Sequence, residues 1–577
     1  MLKYPSISDL AVISDRHTCA LVSNEGSINW YCPDRFDGEA LLSSLIDSKK
    51  GGLWSVSAQG KTFLGRQFQD RSSVLHTYFS IHGKGFTLTD FMPLGLTWTG
   101  ICRKFSRAPV PVCNEVKLRP NYGLENEEFI VTSPNTIKLK RSGLWLSASH
   151  PLSLSRDIIS FTIPAGEEGW ASLTNSAEMT FELVSESLDI TLKNWEKVED
   201  LVNYHGPFEN QVRNSLRALQ QMVYEPSGGI IAAATTSLPE VIGGKRNYDY
   251  RYVWMRDAAL ITSSLTQIIT TGELERKFIS FIAGAMEKNK EDHVSCLYKI
   301  DQTKIIGMEE IPLSGYLESR PVVIGNAAAK QFQLDAEANV LIACSMIYDK
   351  FGERTNWETV SKIADFICKN WERKDNGIWE EEQQQHYTSS KAFAARGLEL
   401  IAPYQEDQAE AKRWRDNAAL IRKFIDENCK TSSGAYAVHA GSEDVDLSAA
   451  LFVPFGFDHA NSHAMQATIR VLEKNYCQNN LYRRHLLEFD SSGEGAFLAG
   501  SCWMAHYYAV AGNLERSKEI LEAVLSFSND LGYFSEEADL TTGQMLGNFP
   551  QTFVHSSFIC AVNGYKLALY GKDSTVQ

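Results

Sequence analysis

Near residue 188 the chain changes character, and no other feature of it limits the possible folds as much. Before that point, short runs rich in β-branched and aromatic residues (17–22, 26–32, 73–82, 84–91, 128–133, 136–140, 144–149, 158–163 and 179–184) are separated by turn signals. Asn24-Glu25-Gly26, His82-Gly83 and Pro164-Ala165-Gly166 are examples. Many short strands at this spacing predict an antiparallel β-sandwich. The segment ITLKNWEKVEDLVNYHG, closed by Gly206, reads as a helical connector. From Phe208 onward apolar residues recur at spacings of three and four, as in Val212, Leu216, Leu219 and Val223 or in Ile520, Leu521, Val524 and Leu525. Twelve stretches carry this pattern: roughly 209–223, 256–271, 274–289, 326–350, 356–373, 388–402, 406–428, 444–453, 459–475, 496–512, 514–527 and 552–570. Six successive pairs suit a closed double ring of helices, while periodicity alone equally allows a solenoid of helix pairs.

A chain of 577 residues is too long for one compact core. The expected division is a β-sandwich over 1–187, a helical linker over 188–207 and a helical domain over 208–577. The loops 226–255, 290–325, 374–387, 476–495 and 528–551 are long and rich in aromatic, glycine and acidic residues, which points to function. A net charge of −15 argues against nucleic acid and against an anionic membrane face, and is compatible with neutral partners such as sugars. No apolar run approaches the ~20 residues of a membrane span. The N-terminus lacks a basic segment followed by a long apolar core, so no signal peptide is expected. Eleven cysteines scattered without a CxxC pair read as free thiols of a reducing compartment, with the cytoplasm as the expected location.

Three constellations carry candidate chemistry. In DNGIWEEEQQQHYTSSK (375–391), a turn delivers Ile378 and Trp379 into three glutamates. A carboxyl beside an indole has its pKa raised, and a glutamate protonated near neutrality can serve a leaving group. A solvated helix start is the other reading of that stretch. In NYDYRYVWMRDAAL (247–260), Tyr248, Tyr250, Tyr252 and Trp254 alternate before Arg256 and Asp257. Alternation puts the rings on one face of an extended segment, where sugar CH faces stack and the charged heads take hydroxyls. An edge strand with Asp257 at a helix start fits equally. In 531–554, Ser535, Glu536 and Glu537 follow an aromatic, giving a second carboxylate loop. Inverting glycoside hydrolysis needs two carboxyls ~6.5–9.5 Å apart, one acid and one base. His459 and His463 share an i, i+4 spacing without a third ligand, and Gly243-Gly244-Lys245 lacks P-loop spacing. No metal and no cofactor are expected.

The sequence resembles glycoside hydrolase family 15, the glucoamylase-like family, over nearly its whole length. The matching stretches are Gly26-Ser27-Ile28-Asn29-Trp30, TTSLPEVIGGKRNYDYRYVWMRDA, IGNAAAKQFQLDA, DNGIWE, EGAFLAGSCW and SEEADLTTGQMLGNFPQTFVH. The resemblance implies a β-sandwich, a helical linker and an (α/α)6 barrel. It implies Glu380 as general acid and Glu536 as general base. Arg256 and Asp257 would grip the non-reducing glucose hydroxyls, with Trp254 lining the same subsite; Trp379 and Glu381 would border the leaving group, and Arg483 is similar to an arginine of the substrate site. The implied activity is an exo-acting inverting α-glucosidase of the glucoamylase type, acting on α-glucans or α-glucosides. Trehalase is the alternative, and a silent glycan-binding protein the alternative of another class. Where bacterial members carry an arginine two residues after the acid, this chain has Glu382, followed by Gln383-Gln384-Gln385. Substrate linkage (α-1,4, α-1,6 or α,α-1,1), chain length and oligomeric state stay open at this level.

Overall fold

The computed structural model describes residues 4–69, 71–177, 179–200, 203–269, 271–484 and 494–571. The N-terminal part forms two antiparallel sheets. One runs from Leu10–Ser14 through Cys19–Ser23, Ile28–Tyr31, Leu53–Ser57, Val112–Lys117 and Ile158–Ile163 to Ser153–Ser155. The other runs from Phe129–Ser133 through Thr136–Leu139, Trp145–Ala148, Gly169–Thr174, Gly100–Phe105, Lys84–Phe91 and Leu75–Ile81 to Lys61–Phe68. Phe105 of the second meets Phe161 of the first edge-on at 6.4 Å. Arg103, fully buried and paired with Asp90 at 2.7 Å, lays its guanidinium over Trp54 of the opposite sheet. Strands absent from the sequence reading, such as Leu10–Ser14 and Gly169–Thr174, are buried at every position and so show no alternation to detect.

The expected strand 179–184 is a helix. Thr180 caps α1 (Phe181–Glu199) by accepting the amide of Leu183, and Val184, Ser187, Thr191 and Trp195 bury one face of it. Alternation over six residues had masked the spacing of three and four, and the helical connector therefore starts about seven residues before 188.

The C-terminal part is helical: α2 (Glu209–Gln221), α3 (Met255–Ile268), α4 (Glu273–Asn289), α5 (Leu334–Phe351), α6 (Trp357–Asn370), α7 (Thr388–Ile401), α8 (Gln408–Asn428), α9 (His463–Asn475), α10 (Leu498–Val510), α11 (Leu514–Leu525) and α12 (Thr552–Tyr570). Two expected α-helices differ. Residues 444–453 yield only a 3-10 turn, Leu447–Leu451, and 326–350 opens with a 3-10 turn, Ala327–Lys330, before α5. The helices sort by burial. α5 buries 14 of its 18 residues, whereas α8 buries 5 of 21 along one stripe, so α5 has neighbours all round and α8 faces water. α10–α12–α3–α5–α7 pack in a row, and α11, α2, α4, α6 and α8 each lie against a member of it. The 3-10 turn at 447–451 packs on α10, and Phe452 just after it meets Phe393 of α7 at 6.1 Å. No described helix is long and apolar enough to cross a membrane.

Candidate active site

Loops at one end of these helices enclose a cavity of about 280 Å³ whose wall includes Glu240, Tyr250, Trp254, Arg256, Asp257, Trp379, Glu380, Arg484 and Glu536. The turn bearing Glu380 is tied from below. Asp375 accepts the amide of Gly377 at 2.8 Å and the hydroxyl of Ser390 at 2.7 Å, and it pairs with the buried Lys391 at 3.4 Å. Gly377 has φ +67, and a Cβ there would lie 2.7 Å from the Tyr387 ring, so the chain can reverse here only at glycine. The motif's two halves, DNG and HYTSSK, are thus one clamp. Glu380 itself is left-handed, with φ 61, a strain of about 1–3 kcal/mol of the kind kept at functional sites.

The alternating aromatics hold both carboxyls. Trp254 donates from Nε1 to Glu380 Oε1 at 2.7 Å, and Tyr250 donates its hydroxyl to Glu536 Oε1 at 2.9 Å. The two rings lie 5.4 Å apart. Tyr248 stacks on Tyr250 at 6.3 Å and also lines the cavity. Tyr252 departs from the one-face expectation: it packs with Cys296 and Leu297 behind the wall. Val253-Trp254 pair as a short strand with Leu297-Tyr298, which turns Trp254 inward. Arg256 and Asp257 open α3, buried and joined at 2.8 Å, and Arg256 also reaches Ile378 O at 2.6 Å and Glu380 at 3.3 Å. Trp379 stacks on Trp503 and donates to Asp446 at 2.9 Å.

Two expected residues lie elsewhere. Arg484, not Arg483, is on the cavity wall; along extended backbone a slip of one residue turns the side chain to the opposite face. Glu381 is half-buried and absent from the wall, its backbone closing the turn through Asn376, while Glu382 lines the cavity. Residues 485–493 of the expected loop 476–495 lie outside the described residues. His463 starts α9 but His459 precedes it, and both are exposed, so they do not share a helical face.

Sequence reading missed the surroundings of Glu536. Glu240, Glu494 and Glu537 crowd it, and Arg484 bridges all three, at 2.7 Å to Glu240 and 3.0 Å to Glu537; Arg246 adds pairs to Glu240 and Glu494. Three carboxylate oxygens here converge closely enough to ligate an ion, but the guanidinium already fills that role. Burial and the charge of Glu240 push Glu536 up to about 8, against Arg484 and the Tyr250 hydrogen bond. Glu380 is raised too, by desolvation, with Arg256 opposing. Gly547 leaves room for Glu536: a Cβ there would lie 2.7 Å from Glu536 Cβ and Oε2.

A family model described as glycosyl hydrolases family 15 matches residues 206–563, the whole span that builds this cavity. The chain belongs to glycosyl hydrolases family 15. A second model, described as trehalase-like, N-terminal, matches residues 3–170 of this family 15 chain. It is 29% identical to Trehalase 1 of Sulfolobus acidocaldarius, covering 96% of this chain and 98% of that one. It is also 29% identical to a trehalase of Mycolicibacterium smegmatis, covering 97% and 91%. Among solved structures, a bacterial glucoamylase complexed with acarbose shares the fold at a TM-score of 0.73 and 15% identity, covering 98% of this chain and 95% of that one. The two-sheet N-terminal domain and the helical domain that carries the cavity are thus both shared with that glucoamylase fold.

Proposed function

We propose that this family 15 glycoside hydrolase is a trehalase, splitting α,α-trehalose into two glucose molecules with inversion at the attacked carbon. What supports this is end-to-end similarity to proteins named trehalase, N-terminal domain included. The glucoamylase-type exo-glucosidase favoured by the motifs stands second, since the glucoamylase structure at 15% identity speaks to fold alone. We read the helical body, with its row of buried helices each backed by another, as an (α/α)6 barrel over 208–577, joined by the linker to the N-terminal sandwich.

In this reading one glucosyl unit lies deep in the cavity against Trp254, Arg256 and Asp257. Glu380 gives its proton to the bridging oxygen as the C1–O bond breaks. Glu536 takes a proton from water as that water attacks C1 from the opposite face. Glu536 Oε2 is buried and has no hydrogen-bond partner among the described residues, which leaves it free for that proton. Neither step needs a metal or cofactor. The eleven free cysteines suit a reducing compartment and support the cytoplasm as the place of action. The test is glucose release from trehalose, maltose and isomaltose at equal concentration. Trehalose should be the preferred substrate by kcat/KM. Preference for maltose would restore the glucoamylase-type reading, and no glucose from any would favour a binding protein.

A further inference from the structure

The hairpin Met308–Ile311/Val322–Gly325 is not part of either catalytic loop, yet it forms part of the cavity. Met308 is half-exposed at its rim, and the inner strand leads through Gly325 into Asn326, Ala327 and Ala328, which also line it. The inner strand is fixed to the segment that carries the aromatics. Thr236 Oγ1 donates to Val323 O at 2.6 Å, and the Val323 amide donates to Ser237 Oγ at 2.9 Å. The connecting loop is fixed to the N-terminal domain. The Ser314 amide donates to Asp47 Oδ2 at 3.0 Å, Tyr4 donates its hydroxyl to Gly315 O at 3.1 Å, and Lys50 Nζ donates to Pro312 O at 2.7 Å. Tyr316 donates back to Pro5 O at 2.9 Å, and its ring meets Tyr4 edge-on at 5.3 Å. Asp47 is buried although charged, and its carboxylate is spent on backbone amides of its own turn and of Ser314. A two-sheet domain thus grips the far end of a hairpin whose near end borders the cavity.

We propose that the N-terminal domain sets leaving-group selectivity, by holding this hairpin so that Met308 forms the outer wall against which the departing sugar packs. The deep end of the cavity is closed by the buried Arg256 and Asp257, so the half-exposed rim is where the second sugar must sit. A thioether is apolar and adaptable and packs on the CH face of a pyranose. Taking trehalose as the substrate from the reading above, the domain acts on the departing glucose and not on the one being attacked.

The experiment compares trehalose with α-glucosyl fluoride, which has no leaving sugar. Tyr4→Phe combined with Asp47→Ala, and separately Met308→Ala at the other end of the hairpin, should each raise KM for trehalose about tenfold, the scale of one or two lost contacts. Turnover of the fluoride should stay within about twofold of the unaltered protein. If fluoride and trehalose activity fall together, the contacts only stabilise the fold. If neither variant moves KM, the rim does not bind the leaving sugar. Either result overturns the proposal. Should the unaltered enzyme prefer maltose, the trehalase reading fails, while the same ratio taken on maltose still decides the role of the hairpin.

Discussion

Glu380 and Glu536, the proposed acid and base, differ in what surrounds them. Glu380 sits between the Trp254 indole and the Arg256 guanidinium at a left-handed residue; Glu536 sits among three further glutamates and Arg484. Glu380→Gln should slow trehalose hydrolysis by roughly 10²–10⁴-fold, the range of general acid catalysis, while sparing much of the rate on α-glucosyl fluoride, whose leaving group needs little protonation. Glu536→Gln should be slow on both. Paired initial rates on the two substrates check this, and fluoride turnover that survives in Glu536→Gln but not in Glu380→Gln would reverse the roles. The pH profile follows from the crowding. Glu536 must be ionised to act as the proposed base, and burial together with the negative charge of Glu240 pushes it up, to about 8. The limb of activity that rises with pH should therefore lie well above the usual carboxylate range. Glu240→Gln removes one neighbouring negative charge and should move that limb to lower pH, which kcat/KM across pH 4–9 or so would reveal. The two catalytic candidates were legible because each lies in a compact motif. The rise in the pKa of Glu536 was not, because Glu240 and Glu494 are far from Glu536 in sequence and meet it only in the fold.

At the level of elements, the loop–helix unit Asp375–Ile401 is the clearest case of local sequence writing local structure. Gly377 permits the turn, Asp375 caps it from beneath, and Ser390 and Lys391 on the first turn of α7 hold Asp375 in place. Asp375→Ala would leave the ammonium of Lys391 buried and unpaired at a cost of about 3–5 kcal/mol. Denaturant midpoints should show that loss, and adding Lys391→Met should return most of it, because two apolar groups need no pairing. A midpoint that Asp375→Ala leaves unchanged would show that the clamp does not hold the turn. Arg483 and Glu381 illustrate the opposite limit. The segments were legible but the face was not, since a shift of one residue in extended backbone or in a tight turn decides which side chain lines the cavity, as Arg484 and Glu382 show. The strand expected at 179–184 failed for a related reason. Six residues are too few to separate a period of two from one of 3.6, and the Thr180 cap decides for the helix.

Across the whole molecule, the division into a two-sheet part and a helical part was legible because a change of hydrophobic period needs no tertiary information. Which strands neighbour which was not: the second sheet places Gly169–Thr174 beside Gly100–Phe105, an order set by packing over long sequence separations. Nor was the docking of the N-terminal domain onto the 308–325 hairpin, which rests on single residues such as Tyr4 and Asp47. The helical part presents one cavity into which Glu380 and Glu536 both face, and the proposed mechanism has those two working by a single displacement with water. Proton NMR of fresh trehalose hydrolysate tests this most directly. Inversion at one carbon, with retention of the α configuration in the departing glucose, predicts that α- and β-glucose appear in equal amounts before mutarotation. Release of α-glucose alone would contradict it, making Glu536 a nucleophile and not a base.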